Sequence, residues 1–216
     1  MEVVLFDMDG VIVDSEDYWV EREREELLPA VVEEDVPVSE ITGMNYEEIY
    51  VFLDSNYTTR VERSEYISRF EEIAHEIYTE RAELMPGFRD LLADLAERGV
   101  RTAIVSSSPP DWIEVVTERF ELEEFDAIVS ADHIDGPGKP EPAIYEYAAE
   151  ELGVTPEDCI VVEDSAHGVE SAAAAGAYTI AYETPTNDDH DHSAADENVS
   201  TPENLHERLL ALHDAN

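Results

Sequence analysis

The sequence predicts an α/β fold: a doubly wound parallel sheet with helices on both faces and a helical cap inserted after the first strand. Two observations predict it. Short apolar runs rich in Val and Ile alternate along most of the chain with helical patterns that end at Gly, and one long stretch contains helical patterns alone. A helix that ends at glycine and leads into a strand is typical of βαβ units.

Five apolar runs are interpreted as buried strands because each is short and bounded by polar or turn-forming residues. They cover residues 2–6, 101–105, 125–129, 159–162 and 177–182. Helices are predicted at 88–98, 110–119, 141–152, 166–175 and 202–213. The acidic stretch 185–198, which contains His190 and His192, is interpreted as a solvated loop before the last helix.

One long segment lacks any valine-rich run. Its helices are predicted at about 16–28, 45–54 and 62–83, and Pro29 is expected to end the first of them. Met85-Pro86-Gly87 marks the return to the alternating pattern. The domain boundaries expected from this are a catalytic core of residues 1–14 and 86–216, and a helical cap of residues 15–85.

Composition excludes several classes of function. The 216 residues include 54 Asp or Glu and 12 Lys or Arg, a formal net charge of −42. Such a chain is repelled by nucleic-acid phosphates and by anionic membranes, so neither is expected as a partner. No apolar run approaches the roughly 18 residues of a membrane span, and the N-terminus lacks signal-peptide features. The single cysteine, Cys159, precludes an internal disulfide and is consistent with a reducing cytoplasm, where we expect the protein to lie. The default expectation for its oligomeric state is a monomer.

Basic residues are unusual in kind as well as in number, since eleven are Arg and only Lys139 is Lys. Acidic residues spread along a lysine-poor chain indicate a surface adapted to multimolar salt, where the Debye length falls to about 3 Å at 1 M. A lysine retained in such a composition is expected to have a function.

Polar residues follow three of the predicted strands. In open α/β sheets, ligands bind beyond the carboxyl ends of the strands. The residues at these ends are Asp7, Asp9, Ser106, Ser107, Glu163 and Asp164, and Lys139 lies in the tight loop 136–140. An Asp-x-Asp pattern means little in a chain that is one quarter acidic. An Asp-x-Asp-Gly sequence directly after a buried strand is far more specific.

Carboxylates that meet at one sheet edge would raise each other's pKa, so a cation is needed to keep them ionised. Oxygen ligands together with a substrate phosphate favour Mg²⁺. A carboxylate nucleophile, a divalent cation, a lysine and a hydroxyl are the components of a phosphoryl-transfer site. The sequence therefore predicts Mg²⁺ as cofactor and a small phosphorylated metabolite as partner.

Four ordered motifs resemble the haloacid dehalogenase superfamily, in the subgroup with a helical cap after the first motif. They are FDMDGVIVDSE (6–16), VSSS (105–108), GKPEP (138–142) and VVEDSAHGVESAAAAGA (161–177). The resemblance covers nearly the whole chain and implies a Rossmann-like sheet of five core strands in the order 3-2-1-4-5.

The resemblance also implies a role for each motif residue. Asp7 would be the nucleophile that forms an aspartyl-phosphate, and Asp9 the general acid and base. Asp7, the Asp9 carbonyl and Asp164 would bind Mg²⁺. Glu163 would be either a further ligand or a residue that contacts a ligand. Ser106 and the Ser107 backbone would bind the phosphoryl group, which Lys139 would neutralise together with Asp7.

Substrate choice in this family depends on the cap, so the candidate specificity residues are Gly43, Met44, Asn45, Tyr46 and Trp19. In β-phosphoglucomutases, the loop equivalent to 42–46 ends in an arginine that grips the sugar's second phosphate, and a histidine early in the cap delays water. Tyr46 and Trp19 stand at those places here, and Pro109-Pro110 replaces polar residues.

These departures favour a phosphatase of small phosphomonoesters, a sugar or polyol phosphate above all. A phosphomutase is the first alternative. A non-catalytic phosphate- or metal-binding protein on the same fold is the second.

Overall fold

The computed structural model describes residues 2–122, 125–185, 187 and 190–214. In this part of the chain the strands are β1 (Val3–Phe6), β2 (Arg101–Ser106), β3 (Ala127–Ser130), β4 (Cys159–Glu163), β5 (Tyr178–Tyr182) and β6 (Glu197–Val199). The α-helices are α1 (Ser15–Arg22), α2 (Leu28–Val31), α3 (Tyr46–Asn56), α4 (Arg63–Glu76), α5 (Phe88–Glu97), α6 (Pro110–Arg119), α7 (Ala143–Glu151), α8 (Ala166–Ala175) and α9 (Pro202–Asp214).

The strands form one sheet in the order β3-β2-β1-β4-β5-β6, and every neighbouring pair is parallel. The predicted α/β class and the order of the first five strands are confirmed. The strand count is corrected from five to six. β6 was missed because it has three residues, none of them fully buried, and follows a polar stretch. Its backbone pairs with β5 through Ile180, Ala181 and Tyr182.

Both faces of the central strands β1, β2 and β4 are buried, as is typical of parallel sheets. Along β1, Val3 and Leu5 join a cluster with α7, whereas Val4 and Phe6 face the opposite side. There the Phe6 and Phe88 rings meet edge to face at 5.3 Å. This packing fixes the carboxyl ends of β1, β2 and β4 beside one another.

The segment between β1 and α5 is helical, as predicted, but Pro29 does not end its first helix. α1 continues through a π-helical turn, Glu23–Leu27, into α2. Pro29 lies in the first turn of α2, where a residue without an N–H is tolerated. π-Helical turns often occur at functional sites, and this one turns Glu23 inward.

The helical segment, residues 15–85, packs on the same hydrophobic cluster as one face of the sheet. This cluster runs from Phe6 through Met8 and Ile12 to Trp19 and Tyr78. Within the described chain, no helix is both long and apolar enough to cross a bilayer.

Candidate active site

A buried lysine joins the ends of two strands. Lys139 Nζ donates to Asp7 Oδ1 at 2.5 Å, to Glu163 Oε1 at 2.6 Å and to the Val105 carbonyl at 3.3 Å. Burial lowers the pKa of Lys139, but the charges of Asp7 and Glu163 outweigh it and hold the pKa above its usual value. The charged lysine therefore fixes one oxygen of Asp7 and leaves the other open to the cavity.

Glu163 is surrounded by protein donors. Its Oε1 accepts from Lys139 and from the Tyr145 hydroxyl at 2.6 Å, and its Oε2 accepts from Ser165 Oγ at 3.2 Å and from the Asp164 N–H at 3.1 Å. Its principal contacts therefore hold Lys139 and the turn that follows β4.

Asp7 lies in an environment that opposes its own ionisation. Burial raises the pKa of Asp7 to about 8, although the Lys139 charge lowers it. The neighbouring carboxylates of Glu163 and Asp9 also raise it. Near neutral pH, one further positive charge beside Asp7 would keep this carboxylate ionised.

Three hydroxyl groups surround the Asp9 carboxylate. Ser15 Oγ and the Tyr78 hydroxyl lie 2.5 Å and 2.8 Å from Oδ1, and Ser108 Oγ lies 3.1 Å from Oδ2. Burial raises the pKa of Asp9, and these hydrogen bonds oppose the rise. Asp9 is thus oriented by donors from three different segments of the chain.

Asp164 offers an oxygen that has no protein partner. Its Oδ2 is buried and accepts no hydrogen bond from the described residues. Asp7, Glu163 and Asp164 each place a carboxylate oxygen within 4.8 Å of the others. Burial and the nearby Glu16 carboxylate raise the pKa of Asp164 well above its usual value. An orphaned carboxylate oxygen in an all-oxygen set is the donor chemistry that suits Mg²⁺.

Gly10 makes this arrangement possible. Its φ is +75°, and a Cβ on it would lie 1.9 Å from Asp164 Oδ2. Glycine is therefore needed both for the backbone conformation and for the close approach of Asp164.

The segment after β5 contacts the backbone carbonyl of Asp164. Asn187 Nδ2 donates to the Asp164 carbonyl at 2.9 Å, and His192 Nε2 lies 2.9 Å from the same oxygen. Both side chains are buried. The prediction that 185–198 is only a solvated loop is therefore wrong at these positions. The polar composition of this stretch gave no indication that the side chains of Asn187 and His192 are buried.

The serines after β2 have different partners. Ser106 Oγ lines the cavity and accepts from the Ser108 N–H at 3.0 Å. Ser107 Oγ donates to the Gly43 carbonyl at 2.9 Å. Ser108 contacts Asp9 instead of capping α6, which begins at Pro110.

The loop 42–46 closes over this edge of the sheet. The Thr42 carbonyl lies 2.8 Å from His167 Nδ1, and a Cβ on Gly43 would lie 2.6 Å from Ser165 Oγ. Asn45 caps α3 by accepting from the Glu47 N–H at 2.9 Å. Its Nδ2 donates to the Ser107 carbonyl at 3.0 Å. These contacts hold the helical segment against the sheet.

Of the five cap residues named from the sequence, Gly43, Met44, Tyr46 and Trp19 line the cavity. Asn45 is buried and holds the loop, as described above.

Aromatic rings form one wall of the cavity. Trp19 stacks on Phe70 with centroids 4.6 Å apart, and Phe70 lies nearly parallel to Trp112 at 5.8 Å. Tyr46 meets Trp112 at 5.5 Å. Trp19 Nε1 also donates to the Tyr78 hydroxyl at 3.2 Å. Phe70, Tyr78 and Trp112 were missed because each is indistinguishable in sequence from an ordinary core aromatic.

Two more carboxylates face the same cavity, those of Glu16 and Glu23. Burial raises the pKa of Glu23 to about 8 and that of Glu16 well above its usual value. Both were missed because acidic residues are abundant in this chain. The one available signal was their spacing of seven residues, which places both on one side of a helix.

Comparisons with known proteins agree on one family. Residues 1–176 match the haloacid dehalogenase-like hydrolase pattern. The chain is 32% identical over 179 residues to a phosphorylated carbohydrates phosphatase of Thermotoga maritima, covering 82% of each. It is 30% identical over 186 residues to hexitol phosphatase B of Escherichia coli K12, covering 84% of this chain and 83% of the relative. A β-phosphoglucomutase crystal structure from Clostridium difficile superposes with a TM-score of 0.77 at 22% identity, covering 100% of this chain and 98% of the other.

Proposed function

Because the chain belongs to the haloacid dehalogenase-like hydrolase family, we propose that it is a Mg²⁺-dependent phosphatase of small sugar or polyol phosphomonoesters. One observation carries the proposal: the cavity presents the Asp7 carboxylate, held by Lys139, beside an Asp9 carboxylate oriented by three hydroxyls. The relatives named above act on phosphorylated carbohydrates and hexitol phosphates, which supports this substrate class.

Asp7 is the proposed nucleophile. Its free carboxylate oxygen attacks phosphorus, a P–O bond to Asp7 forms, and the ester P–O bond breaks. Asp9, protonated, gives its proton to the departing oxygen. Asp9 then accepts a proton from a water molecule that attacks the aspartyl-phosphate, which releases phosphate and restores Asp7. The opposing influences of burial and hydrogen bonding on Asp9 suit a group that must both give and take a proton.

Phosphoryl binding is proposed for Ser106, the Ser107 backbone and Lys139. Ser106 Oγ accepts one hydrogen bond and keeps its own proton available to a phosphoryl oxygen. The Ser107 hydroxyl is engaged by Gly43, which leaves its N–H for the phosphoryl group. Lys139 has three acceptors, and the 3.3 Å bond to Val105 is the longest of them and the easiest to exchange.

Mg²⁺ is proposed to bind between Asp7, Asp164 and the Asp9 carbonyl, since Asp164 Oδ2 has no other partner. When bound, it supplies the positive charge that stabilises ionised Asp7 and the transferring phosphoryl group. Glu163 is proposed not to bind Mg²⁺ directly, because both of its oxygens accept hydrogen bonds from protein donors. Its proposed role is to position Lys139 and the turn after β4.

The cap role of residues 15–85 is also a proposal, as are the boundaries 1–14 and 86–216 for the core. Its support is the set of hydrogen bonds that join the loop 42–46 to the ends of β2 and α8.

The mutase alternative would require a group that grips a second phosphate. None of the residues that line the cavity in the described structure is Lys, Arg or His. Tyr46 occupies the place where the arginine of the mutases is expected, and this favours transfer of the phosphoryl group to water.

A cytoplasmic location, a monomeric state and adaptation to high salt are proposed together with this function. Among the described Asp and Glu residues, only Asp7, Glu23, Glu163 and Asp164 are buried. The rest of the described carboxylates are at least partly exposed, as a salt-adapted surface requires.

Phosphate release from a panel of phosphomonoesters, measured with Mg²⁺ in multimolar KCl, tests the function. We expect release that disappears with a chelator and with Asp7→Asn. The exposed Asp90→Asn is the matched control and should retain activity. Absence of release from folded protein would contradict the phosphatase. Transfer of phosphoryl groups between hexose positions would instead establish the mutase.

A further inference from the structure

Glu23 is a buried carboxylate without a protein partner, and it faces the candidate active site. Only 5% of the residue is exposed, and it lines the same cavity as Asp9. Within the described structure its side chain makes neither a hydrogen bond nor an ion pair. The Glu23 oxygens are not among the fully buried atoms that lack a partner, so they open to the cavity. A ligand in the cavity can therefore donate hydrogen bonds to them.

Glu16 extends this acidic surface toward the reaction centre. It lies two helical turns before Glu23 in chain order and also lines the cavity without a hydrogen bond or ion pair to the described residues. Asp9 is the charged neighbour that acts on Glu23, and Glu16 interacts with Glu23 and with Asp9. Both glutamates therefore lie near Asp9, the proposed proton donor to the leaving group, and Glu16 also lies near Asp164.

This subsite offers no positive charge to a second anion. None of the residues that line the cavity in the described structure is Lys, Arg or His, so a second phosphate or a carboxylate would be buried without a compensating cation. Burial of an unpaired charge is costly. A hydroxyl group, in contrast, can donate a hydrogen bond to a carboxyl oxygen in either protonation state.

The aromatic rings beside the two glutamates suit the carbon chain of such a ligand. Trp19, Phe70 and Trp112 stack closely and present apolar ring surface to the cavity. Sites of this kind combine an aromatic wall with a few polar groups that fix orientation. A polyhydroxylated chain can place its C–H bonds on the rings and its hydroxyls on the glutamates.

We propose that Glu16 and Glu23 determine specificity by accepting hydrogen bonds from the hydroxyls of an uncharged polyol leaving group. The enzyme then takes monophosphates of neutral polyhydroxy compounds and discriminates against bisphosphates and phosphorylated acids. This inference rests on the phosphatase function proposed above, and it identifies the class of leaving group.

The test compares Glu23→Gln, which keeps the shape and replaces one carboxyl oxygen by an NH2 group that cannot accept a hydrogen bond, with Glu25→Gln. Glu25 lies in the same π-helical turn and is exposed. The substrates are a hexitol monophosphate, a hexose bisphosphate and p-nitrophenyl phosphate, which has no hydroxyls to offer. For Glu23→Gln we expect the ratio of kcat/KM for the hexitol phosphate to kcat/KM for p-nitrophenyl phosphate to fall roughly tenfold, the effect of one hydrogen bond. Glu25→Gln should match the wild type with all three substrates.

An equal loss with all three substrates, or no loss with any, would overturn the proposal. So would a wild type that prefers the bisphosphate. Glu16→Gln provides a second variant, with the same expected fall in the ratio between the two substrates, if Glu23→Gln melts at a markedly lower temperature.

Calorimetric binding of the hexitol monophosphate to Asp7→Asn separates this inference from the phosphatase function. Addition of Glu23→Gln to that variant should weaken binding several-fold, whether or not the wild type turns the ester over. Wild type without phosphate release but with Glu23-dependent binding would contradict the function alone. Binding indifferent to Glu23 would contradict the inference alone.

Discussion

The Tyr78 hydroxyl lies 2.8 Å from Asp9 Oδ1, so a residue at the end of the helical segment orients the proposed acid and base of the core. Tyr78 also accepts from Trp19 Nε1 and lies 3.3 Å from Ser108 Oγ. The Tyr78 hydroxyl therefore connects Trp19 of the aromatic wall with Ser108 and Asp9.

Tyr78→Phe should lower kcat about tenfold while the protein stays folded, because Asp9 keeps Ser15 and Ser108 as partners. The Tyr78 bond lowers the pKa of Asp9, so its loss should move the Asp9 limb of the pH–rate profile to higher pH. Steady-state kinetics across pH check both. Tyr66→Phe is the control, since its buried hydroxyl has no partner in the described structure. An unshifted profile for Tyr78→Phe would contradict the role of this bond.

Gly10→Ala should abolish Mg²⁺-dependent activity and destabilise the fold, because the new Cβ would lie 1.9 Å from Asp164 Oδ2. Gly99→Ala is a matched control: its φ of +74° is nearly the same, but nothing lies within 4 Å of its Cβ position. Gly99→Ala should lower the free energy of unfolding by only about 1 kcal/mol, through backbone strain, and should keep the enzyme active. Urea unfolding and phosphate release measure the two effects. Equal behaviour of the variants would show that backbone conformation alone matters at Gly10.

Stability should fall as the pH rises because of Glu23. Burial raises the pKa of Glu23 from 4.5 to about 8, so the folded protein binds more protons than the unfolded chain within that window. The free energy of unfolding therefore declines as the pH rises from about 4.5. Above about pH 8, where Glu23 of the folded protein has lost its proton, the stability that protonated Glu23 contributed is gone. Glu23→Gln should remove this part of the slope and be more stable than wild type at pH 8, by an amount on the order of a few kcal/mol.

Denaturant unfolding from pH 5 to pH 9 makes this comparison. Glu25→Gln, in the same turn but exposed, should follow the wild-type curve. Parallel curves for wild type and Glu23→Gln would show that Glu23 does not titrate in this range.

Thermal stability should rise between dilute buffer and multimolar KCl. The net charge is −42, and most described carboxylates are at least partly exposed, so salt reduces their mutual repulsion. Differential scanning calorimetry over a KCl series measures the midpoint, and sucrose at matched osmolarity controls for solvent exclusion. A midpoint that does not move with KCl would contradict salt adaptation.

Much of the sheet could be predicted because parallel strands buried on both faces have a strong apolar signature. β6 had no such signature, since its residues are at least partly exposed, and it joins the sheet by backbone pairing with β5. The continuation past Pro29 was also missed. The π-helical turn that places this proline in the first turn of α2 has no local sequence signal.

The convergence of polar residues at the sheet edge follows from local sequence patterns. Asp7, Ser106 and Asp164 each follow a strand of one parallel sheet, and such ends converge wherever the strands are neighbours. Three other features come from packing in three dimensions: Tyr78 contacts Asp9, His192 contacts the Asp164 carbonyl, and Glu23 faces the cavity. These contacts join segments far apart in the chain, and they depend on how the helical segment and the loop after β5 pack against the sheet. No local periodicity specifies that packing.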